Sequence, residues 1–231
     1  MSKPIAFIIG AGKNIGASTT KALQAKGYRV AQAARSVNPD DSKDDDLLLK
    51  NDLSKPDNVA SLFARLRKSW GEPSVVIYNA AAAHFTPKDD PFSVSVEDFT
   101  SDLAINTIST YAAIKEALAS FESLPSSAPK AFFFTGNCLN QVPMLGLQTA
   151  GVGKSATAHM IQTASLAYAD KGMKFHYVDE RTSEGKPKIN PYVDGPAHAD
   201  FFLELMEGRT DEVPWLATFV KGQGYTSFAK L

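Results

Sequence analysis

The segment Ile5-Ala6-Phe7-Ile8-Ile9-Gly10-Ala11-Gly12-Lys13-Asn14-Ile15-Gly16 decides how this chain folds. Five apolar residues in a row, with no polar alternation, describe a strand covered on both faces. Three glycines follow, and the spacing from Asn14 to Lys26 predicts a helix that ends near Gly27. A strand that passes straight into a helix needs a tight turn, a backbone open to close approach and close helix–strand packing. Glycine serves all three needs, and the helix N-terminus offers amide donors to a pyrophosphate. A glycine-rich turn alone is only a turn; the strand before it and the helix after it make it a phosphate-binding candidate.

Outward from this turn, strand-like and helix-like segments alternate. Strands are predicted at 28–34, 47–49, 74–78, 130–135, 173–178 and 215–220. Helices are predicted at 57–70, 96–121, 150–171 and 196–207. This alternation describes an α/β fold, a single doubly wound parallel sheet with helices on both faces. With 231 residues and no internal repeat or long linker, residues 1–231 read as one domain. A net charge of −1 gives no reason to expect nucleic acid or an anionic membrane surface. One cysteine, Cys138, excludes an intrachain disulfide, and the short apolar start matches neither a membrane span nor a signal peptide, so a cytoplasmic protein is expected. Asp40, Asp41, Asp44, Asp45 and Asp46 read as a solvated loop. No metal site is expected.

The turn resembles that of the short-chain dehydrogenase/reductase family, where Gly is followed by three residues and then Gly-Ile-Gly. Gly10, Ile15 and Gly16 match, and Asn14 stands where the middle glycine belongs. Asparagine tolerates left-handed backbone angles, so the turn is expected to survive. The resemblance implies a Rossmann fold and a nicotinamide dinucleotide held by Gly10, Gly12, Lys13, Asn14, Ile15 and Gly16. The second predicted strand ends in Ala33-Ala34-Arg35-Ser36 with no carboxylate at its tip. Arg35 there, with Lys13 at a second basic position of the family, implies NADP(H), both cations facing the adenosine 2′-phosphate. Further matches are Asp52-Leu53 near the adenine, Asn79-Ala80 after the fourth strand, and Asn106 at the position of the family's structural and catalytic asparagine.

The catalytic region departs from the pattern. Family members carry a tyrosine and a lysine four residues apart on one helix face, and a serine on a preceding loop. Lys154 is present, Ala150 takes the tyrosine position and Asn137 the serine position. The resemblance thus leaves Lys154, Asn106 and Asn137 as catalytic candidates, with Lys154 also holding the nicotinamide ribose. Tyr168 lies about 21 Å further along the helix at ~1.5 Å per residue and is no substitute. His84, after the Asn79 turn, is a residue type suited to acid–base work but more often simply exposed on a loop. Cys138 and His159 read as packing or surface residues. Asp179-Glu180-Arg181-Thr182 replaces the family's Pro-Gly turn and reads as a solvent-exposed polar turn, with a pocket-facing carboxylate as the alternative.

Two functions fit. One is an atypical NADP(H)-dependent oxidoreductase acting on a small molecule. Without the tyrosine, acceptors that need no proton, such as an iminium ion, are favoured, or substrates carrying their own acid. The other is a catalytically inactive NADP(H)-binding sensor or partner-binding protein. The family resemblance also implies a homo-oligomer, dimer or tetramer.

Overall fold

The computed structural model describes residues 3–208 and 213–228. In chain order the elements are β1 Ile5–Ile9, α1 Ile15–Ala25, β2 Arg29–Ala34, β3 Asp46–Lys50, α2 Asn58–Ser69, β4 Val75–Tyr78, α3 Val96–Leu103, α4 Ser109–Ser123, β5 Ala131–Thr135, α5 Gln148–Ala167, β6 Lys174–Arg181, α6 Gly195–Glu207, β7 Leu216–Val220 and β8 Gly224–Tyr225. They form one sheet in the order β3-β2-β1-β4-β5-β6-β7-β8, parallel except for β8, which returns antiparallel along β7. The order reverses between β1 and β4, and ligands of doubly wound sheets bind outside the strand ends at such a switch point.

Period-two alternation on buried strands builds the two layers. Phe132 and Phe134 of β5 face one way with Phe7, Tyr78, Phe175 and Tyr177, against Leu62 and Phe63 of α2, Phe121 of α4 and Ile161 of α5. Phe133 faces the other way with Ile8, Ile77 and Phe219, against Leu23 of α1 and Phe201, Phe202 and Leu205 of α6. Both layers close around completely buried aromatic rings.

Three predictions from sequence are corrected. The expected helix 96–121 is interrupted: residues 104–108 make a π turn between α3 and α4. The sixth strand runs on to Arg181 because β7 pairs with its end, Asp179 opposite Thr218 and Arg181 opposite Val220. Asp179, Glu180 and Arg181 are therefore buried, not a solvent-exposed turn. Asp40, Asp41 and Asp44 are exposed as expected of a solvated loop, whereas Asp46 already belongs to β3; Lys3 and Arg29 pair with Asp45, and Gln32 donates to Asp46.

Candidate functional site

Gly10 ends β1 with φ +88°, and a Cβ there would lie 2.3 Å from the backbone nitrogen of Ala80, so only glycine fits. Its amide and that of Ala11 donate to Ala33 O, and Asn79 Nδ2 donates to Gly10 O at 2.8 Å, joining the ends of β1, β2 and β4. A Cβ on Gly12 would meet nothing within 4 Å: the chain leaves open space there. Asn14 does not use the left-handed region. Its φ is −95°, and its side chain instead bridges two distant backbones. Nδ2 donates to Val193 O at 2.8 Å, and Oδ1 accepts from Gly195 N at 3.0 Å, where α6 begins.

Two adjoining cavities follow the strand ends. The first, about 410 Å³, runs from Gly10, Ala11 and Gly12 past Ala34, Arg35 and Ser36 to Asp52, Leu53 and Ala80. The second, about 270 Å³, is walled by Lys13, Asn14 and Ile15 of the turn, Thr135, Asn137 and Lys154, and Lys188, Ile189 and Val193 of the segment after β6. Gly12, Asn79, Ala81 and Asn190 line both. A larger hollow of about 880 Å³ between α6 and β8 shares no lining residue with either. Each of the two adjoining cavities has a buried wall group without a partner among the described residues, Asn51 Nδ2 in the first and Thr135 Oγ1 in the second. Buried polar groups are rarely left unpaired, so a polar ligand suits this trough. Arg35 lines the first cavity and Lys13 the second, on the two sides of Gly12, which lines both. Asp52 is held in place by Ser54, whose backbone N–H and hydroxyl donate to Oδ1 and keep the carboxyl below its usual pKa.

Lys154 is buried on α5. Its Nζ donates to Thr135 O at 2.7 Å and lies 4.4 Å from the centre of the Phe134 ring. Burial brings its pKa down to about 7, against the pull of Asp179. Asp179 shares with Tyr177 the sheet face that carries α5. Its Oδ2 accepts from Arg181 Nε at 2.6 Å, while Oδ1 has no partner among the described residues. Burial raises its pKa to about 6, although Arg181 and Lys154 both act to lower it. Asn137 faces the second cavity, its Oδ1 accepting from Leu139 N and its backbone carbonyl from the Tyr177 hydroxyl. The charged residues lining this cavity are Lys13, Lys154 and Lys188, with no carboxylate among them.

Asn106 is buried and tied into the fold. Its Oδ1 accepts from Ala82 N at 2.9 Å and its Nδ2 donates to Ala82 O at 2.8 Å. The π turn around it leaves its own carbonyl to the Thr110 and Thr157 hydroxyls. Asn106 thus fixes the chain that leaves β4 and lines neither cavity. His84 also lines neither; its ring is paired with Asp102 at 3.0 Å and Asp98 at 3.5 Å. Tyr168 packs on Phe175, Cys138 is buried, and His159 is exposed.

Sequence reasoning missed Thr135, Lys188, Asn190 and Val193 as walls of the site, and it missed the group that holds them. Glu180, on the α6 face of β6, accepts from Lys188 Nζ at 2.7 Å and from Asp194 N at 2.8 Å, beside buried His198. Charge density at 179–181 was the available signal, but it gave no direction.

Residues 10–182 match the family described as enoyl-(acyl carrier protein) reductase. The short-chain dehydrogenase/reductase dmxR12 of Cryptosporiopsis sp. (strain 8999) is 47% identical over an alignment of 239 residues, which takes in 99% of this chain and 96% of that protein. The chain belongs to the short-chain dehydrogenase/reductase family. Solved structures agree in fold. A 3-ketoacyl-(acyl-carrier-protein) reductase from Brucella melitensis, complexed with NADH, superposes with a TM-score of 0.79 at 14% identity, covering 94% of this chain and 96% of that one. ElxO with NADP bound superposes at 0.78 and 16% identity, covering 95% and 97%. No helix among the described residues is long and apolar enough to cross a membrane, and no cluster of metal-binding side chains occurs among them.

Proposed function

We propose that this short-chain dehydrogenase/reductase is an NADP(H)-dependent oxidoreductase acting on a small molecule, with residues 1–231 as one dinucleotide-binding domain. The observation that carries the reading is the pair of adjoining cavities across the switch point, open at Gly12 and holding unpaired Asn51 and Thr135 atoms. Gly10, Gly12, Asp52, Leu53 and Ala80 would hold the adenosine half, with Arg35 and Ser36 at its 2′-phosphate and Asn79 on the wall common to both cavities. Lys13, Asn14, Ile15 and the α1 N-terminus, which begins beside Gly16, would meet the pyrophosphate, and Lys154 the nicotinamide ribose. When bound, the nicotinamide supplies or accepts a hydride. The similar folds that hold NADH and NADP support a nicotinamide cofactor; Arg35, with no carboxylate at the end of β2, supports the phosphorylated form.

The lining of the second cavity bears on the acceptor. Lys154, lining the second cavity, offers N–H donors to a carbonyl oxygen and nothing comparable to a cation, so a neutral or anionic carbonyl compound suits the site better than the iminium ion that sequence alone favours. NADPH consumption should be followed with a panel of ketones, aldehydes, keto acids and cyclic iminium compounds. Turnover confined to carbonyl compounds is expected. Turnover confined to iminium ions contradicts the substrate class. Ala150 and Asn137, standing where the family has tyrosine and serine, favour a second reading, an NADP(H)-binding protein without catalysis. Tight NADPH binding with no turnover of any acceptor would select it.

A further inference from the structure

Lys154 is a buried group that lines the second cavity and is able to give a proton. Lys154 has three N–H donors, and Thr135 O takes one, leaving two for a ribose hydroxyl and a substrate oxygen. It lines the second cavity beside Asn137 and Thr135. Asp179, on the sheet face that carries α5, is the charge felt by Lys154; one of its carboxylate oxygens is committed to Arg181 and the other has no partner among the described residues. Arg181 is itself held by Gly185 O and Gln141 Oε1, which fixes the carboxylate against movement. Such a carboxylate is suited to hold charge on a nearby ammonium.

We propose that Lys154 is the proton-transfer residue of this site, occupying the role a tyrosine would otherwise fill, and that Asp179 is the positioning residue that keeps Lys154 charged. The proposal rests on the oxidoreductase reading above. In the reductive direction, hydride from the dihydronicotinamide forms the new C–H bond and the carbonyl π pair moves to oxygen. That oxygen takes a proton from Lys154 Nζ. The products are the alcohol, the oxidised nicotinamide and a neutral lysine amine, which regains its proton from water. An ordinary lysine near 10.5 holds its proton too tightly for this work, whereas burial brings Lys154 to about 7, where an acid is most effective near neutral pH. Asp179 is the charge that acts on Lys154; Arg181 and Glu180 act in turn on Asp179, Tyr177 and Cys138 lie in the same group of side chains, and Lys13 and Lys188 line the same cavity as Lys154.

The test begins without substrate. Nuclear magnetic resonance of lysine Cε and Nζ in the whole apo protein should show Lys154 titrating near 7, with a second, smaller inflection as Asp179 titrates near 6. Asp179→Asn should lower the Lys154 midpoint by roughly one unit, and Asp179→Glu should restore it. A midpoint above 9, or a midpoint indifferent to Asp179→Asn, overturns the proposal. If Asp179→Asn does not fold, the wild-type inflection decides, and its absence overturns the positioning role. Lys154→Arg keeps the charge but cannot release a proton. At saturating NADPH it should reduce the best carbonyl compound of the panel roughly 10²-fold more slowly or worse. Undiminished turnover by Lys154→Arg, or no turnover of any carbonyl by a wild type that binds NADPH, also overturns it. Failure of wild type to bind NADPH at all would instead strike the cofactor reading, and the lysine titration would still show whether Asp179 governs Lys154.

Discussion

Asn14 stands at a position where the family pattern has glycine, and its value lies in what its amide does. It bonds Val193 O and Gly195 N and so ties the phosphate-binding turn to the segment over the second cavity. Asn14→Gly should keep the turn but lose both bonds. A loss of about 1–2 kcal/mol in chemical denaturation is expected, with faster proteolysis between residues 182 and 194. Lys154 makes a second prediction, in stability against pH. Its folded pKa, near 7, lies below its ordinary 10.5, so the folded state disfavours the charge. That cost is complete below pH 7 and is relieved as pH rises toward 10.5. Wild type should therefore gain stability over Lys154→Met between pH 7 and 10, measured by denaturant midpoints of both proteins. A difference constant across that range would contradict the burial of the ammonium.

At the scale of elements, the π turn at residues 104–108 is the least expected feature, and Asn106 explains it. Both of its amide atoms are committed to Ala82, fixing the loop after β4, while Gly153 of α5 leaves room for its Cβ, which a methyl group there would approach to 2.6 Å. Asn106→Ala leaves the N–H and C=O of half-buried Ala82 without their partners. Destabilisation of about 2–4 kcal/mol is expected by urea denaturation, a large value for a change that removes so little volume. The sequence carried β1, the glycine turn and α1 plainly, because their signals lie within a dozen neighbouring residues. It carried the alternation of layers for the same reason. It did not carry the end of β6: whether Asp179 and Arg181 are buried depends on β7, which begins more than thirty residues later. The two-residue β8 has no periodicity to read.

Over the whole molecule, the candidate site is assembled from the ends of β1, β2, β3, β4 and β5, the first turn of α1, Lys154 of α5, and the segment between β6 and α6. Gly10, Arg35, Asp52 and Asn79 were legible because each follows a strand at a position the fold makes special. Lys188, Asn190 and Val193 were not, because they lie in an irregular segment whose placement depends on Glu180 and Asn14, residues distant from them or without a directional signal. The charge of the second cavity emerges only when Lys13, Lys154 and Lys188 are brought together. The central claim, that the trough holds NADP(H) with Arg35 at the 2′-phosphate, is tested most directly by fluorescence titration of the protein with NADPH and with NADH, on wild type and on Arg35→Ala. NADPH should bind wild type about ten-fold or more tightly than NADH, corresponding to about 1.4 kcal/mol, and Arg35→Ala should remove most of that difference while leaving NADH affinity unchanged. Equal affinities in wild type, or a preference for NADH that Arg35→Ala does not alter, would contradict it.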